Sequence, residues 1–305
     1  MDLEKHRNPA FSASEWRSNL SRDLAKMAVD TNRTNWSLSE QDLDELRQAR
    51  AESLQLIDDH FSAMIELAAT RRANLLADDG ILYLSLGEDC LSRVVLAQWG
   101  LIPPAVFGTR SGPFDLAVHP PGAVAVLLEE NFAPYFAPGQ LRYDADIRIT
   151  RHPLLGIVFN HESGTDFAAD DFAKLRARYR DRVDHFEQAA RTAPKTAFII
   201  HLSPLQARHA PFLRRIHAAL RTRRGALPFA LIVVSSWDAD APIDTTGRER
   251  FADSLFFVDV RKPTPNYVWH AAQDGFVPSG QAFERSIVTG IKAAVAEAFG
   301  VTVPA

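Results

Sequence analysis

ILYLSLGEDCLSRVVLAQWG, residues 81–100, decides how the rest of the chain is read. Residues 81–86 are mostly apolar and form a strand pattern, Gly87-Glu88-Asp89 turns the chain, and from Cys90 onward the apolar residues recur at helical spacing. A strand that runs straight into a helix is the repeating unit of a parallel sheet. The alternation continues downstream. Short apolar runs rich in β-branched and aromatic residues, GIVFNH (156–161), TAFIIHL (196–202), FALIVVSS (229–236) and LFFVDV (255–260), are interleaved with helical stretches at 90–99, 122–131, 170–191, 205–222 and 281–299. The predicted fold class is α/β, a three-layer α/β/α arrangement with a mostly parallel central sheet.

Upstream of this pattern, residues 12–77 are polar with helical periodicity and carry no strand signal. They predict two or three helices, with Ser37 or Ser39 as a capping residue. Leu43, Leu46, Leu54, Ile57, Phe61, Met64 and Ile65 share one broad stripe, which serves the chain's own core or a partner helix. The expected organisation is an N-terminal helical extension or cap over residues 1–79 and an α/β domain over residues 80–305 that carries the site. Pro- and Gly-rich stretches at 102–113, 133–139 and 261–280 read as long loops around that site.

Composition bounds the function. With 46% hydrophobic residues over 305 positions, the chain can bury a sizeable core. No run reaches the roughly 18 apolar residues of a membrane span, and the N-terminal residues have no apolar core of signal-peptide length. A cytoplasmic protein is expected. A net charge of −4 argues against a nucleic-acid coat, and the basic RTRR patch (221–224) reads as a solvated helix end. No dinucleotide or Walker glycine spacing and no HExxH or Cys–His metal spacing occurs, so neither a cofactor nor a metal is expected.

The single cysteine excludes an internal disulfide framework and leaves Cys90 as a small buried hydrophobe or a reactive thiol. Its predicted place is the first turn of a helix at the carboxyl end of a strand. There the helix dipole favours thiolate and lowers the pKa from ~8.5 toward neutrality, against the opposing charges of Glu88 and Asp89. Backbone N–H groups at Gly87, Glu88, Asp89 and Leu91 can form an oxyanion hole. A thiol nucleophile needs an imidazole within reach and a group to orient it. His161, ending GIVFNH, is the first candidate base, and His201, ending TAFIIHL, the second; Asp115, Asp238, Asn160 and Glu162 are candidate orienting groups.

These residues carry a resemblance. LSLGEDCLSRVVLAQWGL, SGPFDLAVHPPGAVAVLLEENFAPYF, LLGIVFNHES and DDFAKLRARYRDRVDHFEQAARTAPKTAFIIHL resemble successive blocks of a bacterial family described as papain-like cysteine peptidases, over roughly residues 81–235. The resemblance implies Cys90 as nucleophile, His161 as general base and Asp115 as a further site residue. Leu116 stands where that family commonly has an aromatic, and Glu162 where it has Asp. The segment QDGFVPSGQAFERS also resembles the last block of the serine lipase and acetyl-esterase fold, but Val277 occupies the place of its histidine.

Three functions stay open at this point. The first is a cysteine-nucleophile acyl or peptide hydrolase. The second is an acyltransferase that uses an acyl thioester such as acyl-CoA, its phosphates met by Arg93, Arg110 and Arg151. In the third, Cys90 is packing and the protein is a non-enzymatic module that binds a protein partner or self-associates through its N-terminal helices.

Overall fold

The computed structural model describes residues 40–77, 80–275 and 277–301, together with Arg22. The expected helices before residue 40 and the Ser37 or Ser39 cap lie outside the described residues. The chain divides into two compact units, residues 1–64 and 65–305. A helix of 38 residues, α1 (Glu40–Ala77), contains the division point. Leu46, Leu54, Met64 and Ile65 of the expected stripe are exposed.

The larger unit runs β1 (Ile81–Ser85), α2 (Leu91–Gln98), α3 (Pro121–Glu129), α4 (Ala133–Phe136), β2 (Arg142–Asp144), β3 (Ile149–His152), β4 (Ile157–Phe159), α5 (Ala169–Thr192), β5 (Lys195–Leu202), α6 (Ala210–Arg224), β6 (Phe229–Trp237), β7 (Leu255–Arg261), α7 (Ala272–Gly275) and α8 (Pro278–Phe299). Four strands form one parallel sheet in the order β1-β5-β6-β7. Its register sets Leu84 against Phe198, Phe198 against Leu231 and Val233 against Phe257.

Because successive side chains of a strand point to opposite faces, each apolar strand feeds two cores at once. Phe198, Ile200 and Leu202 of β5 join Leu231 and Val233 of β6 in a core with residues of α3, α5 and α6. Ala197, Ile199, Ala230, Ile232 and Val234 join residues of α2 and α8 on the other face. The architecture is α/β, with a parallel sheet between two helical layers.

GIVFNH is not part of this sheet. It supplies β4 of a separate antiparallel sheet in the order β2-β3-β4. Burial alternates along β4, with Ile157 and Phe159 inside and Val158 half-buried, whereas seven of the eight residues of β5 are buried. A strand covered on one face has no place inside a parallel sheet covered on both. The RTRR patch also differs from expectation. Arg223 and Arg224 are buried, Arg223 against Glu187 at 2.9 Å, and Arg224 donating to the carbonyls of Ala190 at 2.6 Å and Pro228 at 2.8 Å.

Helices α2 and α8 are joined by a buried hydrogen bond from Trp99 Nε1–H to Glu284 at 2.8 Å. Glu284 is only 1% exposed, and burial raises its carboxyl pKa to about 7. A carboxyl whose folded pKa lies above its unfolded value contributes stability below the unfolded value and loses it as pH rises through the folded one. Wild-type protein is therefore expected to lose roughly 2–3 kcal/mol relative to Glu284→Gln between pH 5 and pH 9, measured by urea melts across that range.

Candidate functional site

The site begins where β1 stops being a strand. Beyond Ser85 the ladder with β5 continues, because Leu86 N–H donates to the Ile199 carbonyl at 2.8 Å and His201 N–H to the Gly87 carbonyl at 3.1 Å. Gly87 sits at φ +88°, and a Cβ there would lie 3.1 Å from the His119 Cβ, so only glycine fits without strain. On the far side, His119 N–H donates to the Glu88 carbonyl at 2.8 Å. Val118 exchanges two backbone hydrogen bonds with Val158 of β4, at 2.9 and 3.1 Å. Residues 118 and 119 thus tie the small antiparallel sheet to the end of β1.

This tie brings together two groups 71 positions apart: Cys90 Sγ lies 3.6 Å from His161 Nε2. Cys90 is the residue just before α2 and is half-buried, while His161 is exposed, two residues past the end of β4. Glu162 anchors the imidazole's loop from below. It is fully buried, 2.8 Å from Arg182 and 3.5 Å from Arg178, and it accepts a hydrogen bond from the Tyr179 hydroxyl at 3.4 Å. Glu162 therefore holds the loop to α5 and does not orient the ring.

The thiol is not activated by its helix. Burial first, and then the charge of Asp89 with a smaller contribution from Asp115, pushes the Cys90 pKa up to about 11. The expected fall toward neutrality fails because the Asp89 carboxylate itself accepts the Leu91 N–H at 2.9 Å, setting a negative charge at the helix start. The candidate oxyanion donors are likewise engaged. Gly87 N–H meets Ser85 Oγ at 3.4 Å, Glu88 N–H meets the His201 carbonyl at 3.4 Å, and Leu91 N–H is held by Asp89.

Asp115 does not meet His161. It is buried, accepts the Gly112 N–H at 2.7 Å and pairs with Arg93 of α2 at 3.4 Å. Burial raises its pKa to about 6 despite that pairing. Asp238 pairs with Lys262 at 3.2 Å, on the surface. His201 belongs to a different constellation: its Nδ1–H donates to the Asp89 carboxylate at 3.0 Å and its Nε2 accepts from the Ser236 hydroxyl at 2.8 Å. Buried His119 donates from Nδ1 to the Ala117 carbonyl at 3.0 Å and accepts the Tyr135 hydroxyl at Nε2; its burial lowers its pKa to about 3. Among the described residues no group of three or more His, Cys, Asp or Glu could hold a metal ion, and no helix is long and apolar enough to cross a membrane.

Compared with protein-family models, with curated proteins and with solved structures, the chain matches none of them.

Three outcomes follow from this geometry. Alkylation of Cys90 by iodoacetamide is expected to be slow at pH 7 and to rise steadily with pH. Asp115→Asn is expected to speed it a few-fold at pH 8, measured by intact mass, because one opposing charge is removed. Glu162→Gln is expected to cost about 3–5 kcal/mol in urea melts, since it leaves the buried Arg182 without its counter-charge.

Proposed function

We propose that the protein is an acyl hydrolase with Cys90 as nucleophile and His161 as general base. The observation that carries this reading is the 3.6 Å approach of Cys90 Sγ to His161 Nε2 at the carboxyl end of β1. Substrates of open parallel sheets gather at that end. The resemblance of residues 81–235 to papain-like cysteine peptidases points to a peptide or related acyl group as substrate.

With the thiol pKa raised to about 11, the resting pair is not a ready-made thiolate. Attack takes the form of general-base catalysis. As the sulfur bonds to the acyl carbon, the thiol proton passes to His161 Nε2. The imidazolium then protonates the leaving group, and water, deprotonated by the same ring, releases the acyl group from sulfur.

The acyltransferase reading is the weaker one. Of the three arginines expected to receive a cofactor's phosphates, Arg93 pairs with Asp115 at 3.4 Å, Arg110 with Asp181 at 3.3 Å and Arg151 with Asp144 at 3.7 Å. A binding module with Cys90 as mere packing is weaker still, because the sulfur is half-buried beside an exposed imidazole. A reduced, catalytic thiol goes with a reducing compartment, and the cytoplasm is the location that accompanies this reading.

The test is incubation with a short-chain acyl thioester, followed by mass spectrometry of the Cys90 peptide. An acyl adduct on Cys90 is expected, forming about 1000-fold more slowly in His161→Ala at an unchanged melting temperature. A folded protein whose Cys90 takes no acyl group overturns the proposal.

A further inference from the structure

A second hydrogen-bonded chain of titratable and hydroxyl groups starts at Asp89 and leads away from the thiol. Asp89 accepts His201 Nδ1–H at 3.0 Å, His201 Nε2 accepts the Ser236 hydroxyl at 2.8 Å, and Ser236 Oγ lies 3.1 Å from Ser203 Oγ. His201 and Ser236 are 4% and 1% exposed, whereas Ser203 faces solvent. Asp89 is held below the usual carboxylate range: burial opposes this, but His201 and two backbone N–H groups outweigh it.

These groups line a cleft of about 200 Å³ together with Lys262 and Tyr267. Tyr267 is 9% exposed, and among the described residues its buried hydroxyl has no hydrogen-bond partner. An orphaned buried hydroxyl costs free energy unless something fills the space beside it. A ligand oxygen in the cleft would satisfy it.

We propose that Asp89, His201 and Ser236 form a proton relay that activates the Ser203 hydroxyl as a second nucleophile, acting on short-chain esters held in this cleft. The order of partners is that of an acid–imidazole–hydroxyl triad with one serine interposed. The Ser203 oxygen bonds to the ester carbonyl carbon while its proton moves to Ser236 Oγ and that of Ser236 to His201 Nε2. The carbonyl π pair moves onto its oxygen. Collapse of the tetrahedral adduct breaks the bond to the alcohol, which leaves with the proton returned along the relay. Water then repeats the sequence and frees the carboxylic acid and Ser203. A cleft of about 200 Å³ suits a small acyl group.

The experiment uses the full chain carrying Cys90→Ala, so that its outcome is independent of the thiol mechanism. A small alkyl fluorophosphonate is the probe, and peptide mass spectrometry locates the label. Phosphonylation of Ser203 is expected, absent in Ser203→Ala and slowed at least ~100-fold in Ser236→Ala and His201→Asn, with melting temperatures recorded for each. Should His201→Asn fail to fold, the Ser236→Ala rate decides. No label, a label on Ser236 or elsewhere, or an undiminished rate in folded Ser236→Ala overturns the proposal.

Discussion

Four backbone hydrogen bonds hold the site together: two between Val118 and Val158, one from His119 to Glu88, and one from His201 to Gly87. They are short-range contacts that join segments remote in sequence. The Val118–Val158 pair sets the antiparallel sheet against the end of β1, and core packing of Ile157 and Phe159 keeps it there. Burial reinforces the arrangement. His119 is fully enclosed and satisfied at both ring nitrogens, with Phe114 edge-on at 5.2 Å, so the link cannot slide without orphaning an imidazole in the core.

Electrostatics then sets the character of the sulfur. A helix start alone would favour thiolate, but Asp89 both caps that start and stands next to the thiol, and Asp115 adds to its effect. The same Asp89 accepts the His201 Nδ1–H. One carboxylate thus faces two imidazole-dependent constellations, holding back the thiol in one and supporting the ring in the other. Among the described residues no carboxylate pairs with His161 as Asp89 pairs with His201. The placement of His161 comes from the next residue, Glu162, clamped by Arg182 and Arg178.

Much of the scaffold was legible in the sequence because a parallel sheet demands apolar runs, and ILYLS, TAFIIHL, FALIVVSSW and LFFVDV satisfy that demand. GIVFNH was misplaced because a short apolar run looks the same in either sheet; only its pairing with β3 separates them. Within the site, Cys90 and His161 could be named, since each ends or follows a strand run. The sign of the thiol shift could not, because it depends on burial and on Asp115, 25 positions away. The Asp89–His201–Ser236 chain was hidden for a similar reason. It crosses three neighbouring strand ends whose adjacency appears only once the order β1-β5-β6 is known.

A sulfur kept protonated also has a defensive advantage. Peroxide and disulfides react with thiolates far faster than with thiols, so Cys90 stays in the slow regime for sulfenic acid formation and glutathione capping. Under the proposed mechanism its nucleophilicity is released only when a bound substrate and His161 draw off the proton together. The enclosure expected to make the group sluggish toward alkylating agents therefore also shields it from oxidation, so that a chain with no second cysteine to form a protective disulfide does not depend on one.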